Sequence, residues 1–288
     1  MTPPFFSVVI PTYERPDDLK KCLLSLSSEN QNGAPSYEIL VTDDSVTNRC
    51  KKMVTTDFPE VSWGRGKRNG PAGNRNAGAN RAKGKWVVFL DDDCIASNGY
   101  LESYANAIIE NKHTSVFEGR IFPDRPKRSW AEGCPENEKG GMLWTSNLCI
   151  KKSLFIELQG FDETFEVAFE DVDFAYRIKT SFQKTVFVYD ASVCHPWRSL
   201  KAGGKNWKRK GYEIESIKLF TAKHGITEIT NWKIYFRNLL RMLTTDQIKS
   251  IFRYRNRGYA VHLFNIYLTF LSTYFLFKVE WKQKLRRK

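Results

Sequence analysis

Trp86-Val87-Val88-Phe89-Leu90, followed at once by Asp91-Asp92-Asp93, decides the fold. Five apolar residues without polar alternation read as a strand buried on both faces, the pattern found inside a parallel sheet. Three carboxylates directly after it then sit at the strand's C-terminal edge, where open α/β sheets hold their ligands. Carboxylates this close repel one another, so the cluster is costly unless a cation holds it together. The alternative is a solvated acidic turn that caps the next helix.

Upstream, strands and helices alternate. Phe5 to Ile10 reads as a first strand, closed by Pro11-Thr12-Tyr13, and Pro16 opens a helix with Leu19, Cys22, Leu23 and Leu26 at helical spacing. Tyr37 to Thr42 is a second strand that again ends in acids, Asp43-Asp44-Ser45. Lys51 to Val61 carries no clear period. Gly64 to Gly73 is a glycine-rich, basic loop (Arg65, Lys67, Arg68) suited to a phosphate, and Gly73 to Lys83 is a helix that carries Arg75. Short connections between such elements predict a right-handed parallel sheet of the α/β class. Downstream, Ser97-Asn98 is expected to cap a helix from Gly99 to Glu110, and Ser115 to Phe122 to form a strand. Asp124 to Gly141 lacks periodicity and is rich in proline, glycine and charge, which fits a flap. Thr185 to Tyr189 is a further strand.

A chain of 288 residues buries a real core, as one large α/β domain or a domain with an appendage. The net charge of +13 points to an anionic partner: nucleotide phosphate, nucleic acid or a membrane surface. Six scattered cysteines without a C-x-x-C pair suit reduced thiols, not a disulfide framework or a zinc site. Met1 to Pro4 carries no basic leader region and Phe5 to Ile10 is too short for a signal core, so a cytoplasmic location is expected.

Val8-Val9-Ile10-Pro11-Thr12-Tyr13, Leu40-Val41-Thr42-Asp43-Asp44-Ser45, Gly73-Asn74-Arg75-Asn76 and Phe89-Leu90-Asp91-Asp92-Asp93 resemble four successive signatures of family 2 glycosyltransferases. Gly160-Phe161-Asp162-Glu163 with Phe169-Glu170-Asp171-Val172-Asp173 resembles a fifth, and the likeness runs from Ser7 to His195. It implies a GT-A fold, a mixed and mostly parallel sheet flanked by helices. It also implies a nucleotide-sugar donor, a divalent cation (Mn²⁺ or Mg²⁺) and inversion at the anomeric carbon. By the same resemblance Thr12, with Asp43 or Asp44, reads the nucleobase and ribose, and Arg75 lies near the nucleotide. Asp91 and Asp93 match the two fixed acids of a D-x-D motif, with Asp93 the metal ligand and Asp91 a contact to ribose or metal. Asp92 holds the variable position on the donor side and is expected to contribute least. Asp171 corresponds to the base that deprotonates the acceptor, and His195 to a residue reaching metal or diphosphate; Glu170, beside Asp171, is expected to bind acceptor hydroxyls or to raise the base's pKa by like-charge proximity. Arg198 and Lys205 are placed near the leaving group.

The chemistry of the residues agrees. Sugar transfer from a nucleoside diphosphate needs charge neutralisation on the leaving group and a base at the acceptor. Carboxylates and an imidazole suit hard divalent cations, and an acid beside uracil accepts its imide N–H, which favours a UDP-sugar. Trp144 is a candidate for stacking on an acceptor sugar, Trp130 a weaker one. Asp173 and Arg177 stand four apart, a helix-surface ion pair.

After a catalytic domain spanning 1–205, residues 206–288 change character. Helices are expected over Tyr212 to His224, Thr230 to Met242 and from Thr245 onward. Gly258 to Phe277 runs twenty residues without formal charge, with His262, Asn265, Thr269 and Ser272 along one helical face. Arg253, Arg255 and Arg257 precede it, and Lys278, Lys282, Lys284, Arg286, Arg287 and Lys288 follow. That pattern predicts a helix lying in an anionic membrane interface; packing on the protein's own core or in a homo-oligomer is the alternative. The expectation is therefore an inverting transferase, peripheral on the inner face of the cell membrane, adding one sugar to a lipid-linked glycan of lipopolysaccharide or capsule assembly. A sugar nucleotidyltransferase is a rival, but Pro11-Thr12-Tyr13-Glu14 is not the glycine- and lysine-bearing loop it would carry. A nucleic-acid binder would explain the charge but not acids at successive motif ends, so nucleic acid is not expected as a partner.

Overall fold

A computed structural model of the chain describes residues 2–199, 205–225, 230–244 and 259–286. It divides into two compact units. The first comprises Met1–Asp124, Cys134–Glu166 and Glu170–Pro196; the second comprises Arg125–Gly133, Val167–Phe169 and Trp197–Lys288.

In the first unit the Trp86 stretch is strand β4 (Trp86–Leu90), at most 4% exposed along its length. Its neighbours are β1 (Phe6–Thr12), β2 (Tyr37–Asp43) and β3 (Ser62–Arg65) on one side, with β8 (Asn147–Lys151), β6 (Val116–Pro123), β9 (Thr185–His195) and β5 (Ile95–Ala96) on the other. Among the described residues these eight strands form one sheet in the order β3-β2-β1-β4-β8-β6-β9-β5. The four strands from β3 to β4 run parallel. β8 is antiparallel to both β4 and β6, and β9 runs parallel to β6. The C-terminal ends of β1, β2, β4 and β9 therefore share one edge, and that edge collects Thr12, Asp43, Asp91 and His195.

Helices α1 (Pro16–Ser25), α2 (Arg49–Asp57), α3 (Gly70–Arg81), α4 (Tyr100–Glu110), α5 (Lys152–Glu157) and α6 (Glu170–Thr180) cover the two faces. Alternate β4 residues feed two cores: Trp86, Val88 and Leu90 join one, Val87 and Phe89 the other. The second core contains an aromatic cluster. Phe161 lies edge-on to Phe89 at 5.1 Å and against Phe174 at 4.6 Å. Each such pair contributes about 1 kcal/mol beyond its buried area, and together they tie α6 to the strand that bears the acids.

Several boundaries differ from expectation. β1 runs through Pro11 to Thr12; its ladder with β4 ends at Val9↔Phe89, so the missing Pro11 N–H costs no bond on that side. α3 starts at Gly70 with Pro71 in its first turn, and Gly78 lets it lie on the sheet, since a Cβ there would meet the Val9 side chain. α4 is preceded by Gly99 at φ +72°, not capped by a side chain; Ser97 Oγ instead meets Ser192 Oγ at 2.7 Å. The segment expected as a flap is anchored over its second half. Buried Glu118 accepts hydrogen bonds from the Gly141, Met142 and Leu143 N–H groups and from Asn137 Nδ2.

In the second unit, β7 (Glu132–Gly133) pairs antiparallel with β10 (Arg198–Ser199). Helices α7 (Lys205–His224), α8 (Trp232–Leu243) and α9 (Tyr259–Arg286) follow. The polar stripe of α9 faces the unit's interior. His262 and Ser272 are buried, and Asn265, Thr269 and Ser272 line a cavity of about 280 Å³ with Ile217 of α7 and Tyr235 of α8. The helix expected from Thr245, Arg253, Arg255, Arg257, Arg287, Lys288 and the side chains of Lys205, Lys282, Lys284 and Arg286 lie outside the described residues. Among the described residues no helix is long and apolar enough to cross a membrane.

Candidate active site

At the shared edge, β1 ends on Thr12, whose hydroxyl donates to Asp92 Oδ2 at 2.7 Å. Arg15 Nη1 reaches both Asp92 Oδ1 and Asp93 Oδ2 at 3.1 Å. Asp92, expected to contribute least, is thus tied to two residues and 4% exposed. Burial pushes its pKa up to about 7 against the pull of Arg15.

His195, delivered by the end of β9, points Nε2 at Asp93 Oδ1 across 3.3 Å. Its Nδ1 lies 2.8 Å from the Pro196 carbonyl, which only accepts, so Nδ1 carries the proton. With Nδ1 held by that carbonyl, Nε2 faces the Asp93 carboxylate and the two are placed to share a cation. Cys94 Sγ lies within 4.8 Å of these ligand atoms. Burial raises its thiol pKa well above the usual value, so it stays protonated and is a poor ligand. The remaining carboxylate and imidazole fit Mn²⁺ or Mg²⁺.

Arg75 occupies the middle of the edge. It is 6% exposed, and its Nη2 donates to Asp91 Oδ1 at 2.7 Å while Nη1 donates to Glu170 Oε1 at 2.9 Å. Burial works against its charge, and Asp91 and Glu170 more than restore it. One guanidinium therefore spans the end of β4 and the first turn of α6. Burial also raises Glu170, to about 7, with Arg75 opposing. Asp171 is raised above the ordinary carboxylate range for the same reason. Asp171 Oδ1 accepts the Val172 N–H at 2.8 Å, and the residue's own backbone N–H also bears on the carboxylate. Asp173 pairs with Arg177 at 2.7 Å, as the spacing predicts.

At the β2 end the adjacent acids separate in role. Asp43 is fully buried, with Oδ1 taking the Ser45 N–H at 2.8 Å and Oδ2 the Trp63 Nε1–H at 3.1 Å. Asp44 Oδ1 takes the Arg68 N–H at 3.0 Å, and its second oxygen accepts nothing among the described residues. Gly66 closes over the pair, because a Cβ there would strike the Asp44 carboxylate and the Asn74 amide. Asn76 joins two distant motifs: Nδ2 donates to Phe161 O at 2.9 Å and Glu163 Oε1 at 3.0 Å, and Oδ1 accepts the Phe161 N–H at 2.9 Å.

Not every candidate comes together. Trp144 is half-buried and packs against the hydrophobic core. Trp130 stacks on His262 at 4.4 Å, and Arg198 lies on β10; all three belong to the second unit. Sequence reasoning missed Arg15 and Trp63. The signal for Arg15 was its place three residues past Thr12, just beyond a parallel strand's end.

A family profile described as "Glycosyl transferase family 2" matches residues 7–182, which include every acid just described and stop short of His195. The chain belongs to glycosyltransferase family 2. A Campylobacter jejuni relative named GalNAc(5)-diNAcBac-PP-undecaprenol beta-1,3-glucosyltransferase is 29% identical over 126 residues, covering 38% of this chain and 40% of that one. The chain spans 61%, 40% and 68% of the lengths of three curated relatives it matches. Two solved structures are similar in fold. S. aureus TarS 1-349 in complex with UDP-GlcNAc has a TM-score of 0.58 at 19% identity, covering 75% of this chain and 65% of that one. The mannosyltransferase PcManGT from Pyrobaculum calidifontis, in complex with GDP-Man and Mn2+, has a TM-score of 0.52 at 16% identity, covering 77% and 64%. The mixed, mostly parallel sheet of this family 2 member is that of the GT-A fold.

Proposed function

We propose that this chain moves one sugar from a nucleotide diphosphate sugar to a hydroxyl of a lipid-linked glycan, with inversion at the anomeric carbon. The observation that carries the reading is the Arg75 bridge, which holds Asp91 and Glu170 on one guanidinium and so sets Asp171 beside the donor-side acids. Asp171 takes the acceptor proton, and its raised pKa makes it the better base. Glu170 orients the acceptor hydroxyls. Asp44, not the doubly engaged Asp43, reads the base, and an acid with one oxygen unengaged matches the imide N–H of uracil. Thr12 and Asp92 line the ribose side.

Asp93 and His195 would hold the divalent cation, with Asp91 in support. When bound, that cation supplies positive charge to offset the departing diphosphate. The C. jejuni relative's name, with its PP-undecaprenol, supports a lipid-linked acceptor, and an enzyme acting on one would work peripherally at the inner face of the membrane. Family membership speaks against the nucleotidyltransferase and nucleic-acid-binding readings.

A donor panel tests this: UDP-, GDP-, ADP- and dTDP-sugars, each with Mn²⁺, Mg²⁺ or chelator. UDP-sugar turnover that chelator abolishes is the expected result. Turnover of no sugar nucleotide, or equal turnover of all, contradicts it.

A further inference from the structure

The outward face of the C-terminal helices is apolar. On α9, Leu263, Tyr267, Phe270, Tyr274, Phe277 and Trp281 are 43–57% exposed and alternate at spacings of four and three, which makes one stripe along the helix. Phe236, Leu240 and Leu243 of α8 are exposed as well, and α8 packs on α9 where Trp232 meets Phe277 at 5.3 Å. The burial of His262 and Ser272 completes an arrangement with polar groups inward and large apolar groups outward. A patch of this kind marks an interaction surface.

We propose that this face docks on an anionic lipid bilayer, with both helices lying in the headgroup region. Charge selects the occupant. Among the described side chains of α8 and α9, the exposed charged ones are Lys233, Arg237, Arg241 and Lys278, all basic, and α8 contains no acid at all. A second copy seated on the same face would bring like charges together, whereas anionic headgroups neutralise them. Side-chain type agrees. Five of the six stripe residues are aromatic, and Tyr and Trp, apolar with a polar edge, suit the boundary between headgroup and acyl chain. A helix-pairing seam would favour Leu, Ile and Val at that spacing. The apolar residues supply buried area and the basic ones attraction to the surface, the two components of interfacial helix binding. The surface rests on the proposed lipid-linked acceptor only for its biological purpose, since vesicle binding needs neither donor nor acceptor.

The test is co-sedimentation of the full chain with vesicles of phosphatidylcholine alone and with added phosphatidylglycerol, at low and high salt. Partition rises on the order of a hundredfold with the anionic lipid and falls at high salt. Combined Lys233→Gln, Arg237→Gln and Arg241→Gln removes about fivefold per charge. Combined Tyr267→Ser, Phe270→Ser and Tyr274→Ser lowers partition at least roughly tenfold. Both sets leave circular dichroism and turnover on a soluble acceptor unchanged, so a lost sugar-transfer activity and a lost docking surface are told apart. Equal partition into neutral and anionic vesicles, or into neither, overturns the proposal. So does a dimer in light scattering that the aromatic substitutions dissolve, which would assign the face to a second copy.

Discussion

At the residue scale, Arg75 joins Asp91 at the end of β4 to Glu170 at the start of α6. Arg75→Met leaves Asp91 and Glu170 buried without their shared counter-charge, so it should destabilise the fold by about 3–5 kcal/mol, measured by urea unfolding. Arg75 is also the opposite charge that restrains the raised pKa of Asp171. The rising acid limb of kcat/KM should therefore lie above the ordinary carboxylate range in the native enzyme and move higher in Arg75→Met. An unmoved limb would remove Asp171 from the base role. Glu170 gives an opposite dependence in stability. Its carboxyl titrates near 7 in the fold and near 4.5 when unfolded, so the native state holds the extra proton between those values. Its contribution is complete below the unfolded value and is lost as pH rises toward 7. Glu170→Gln should flatten that decline, compared by urea midpoints at pH 5 and pH 7.5.

At the scale of elements, helix α3 organises the site. Gly78 brings it onto β1, Arg75 holds α6, and Asn76 fastens the Gly160 turn. Asn76→Ala removes three hydrogen bonds and strands partly buried groups, with an expected loss of about 2–3 kcal/mol in thermal or urea unfolding. A loss under about 0.5 kcal/mol would mean that the aromatic packing of Phe161 alone fixes the turn. Much of this layer was legible in the chain. The apolar run before Asp91 places β4, and the sequence alone marks Asp93, His195, Glu170 and Asp171 as candidates. The rest was not, for identifiable reasons. α2 buries little beyond Cys50 and Val54, too short a repeat to stand out, and β3 is a four-residue edge strand containing glycine. β9 runs past Asp190 because a register shift at Gly119/Arg120 absorbs the irregularity. The choice between Asp43 and Asp44 depended on Trp63, twenty residues away, which sequence could not bring beside them.

At the scale of the molecule, the parallel half of the sheet converts sequence order into a site. Strand ends separated by dozens of residues meet at one edge, and the two cores on either face hold it rigid. Charge follows the same division of labour: a net +13 coexists with acids concentrated at that edge, and basic residues accompany the apolar face of the C-terminal helices. In the proposed reaction Asp171 draws the proton from the acceptor. Steady-state transfer by Asp171→Asn, with donor affinity measured in parallel, is the decisive experiment. A fall of about 10²–10⁴ in kcat, with donor binding preserved, is the predicted result; undiminished transfer would contradict it.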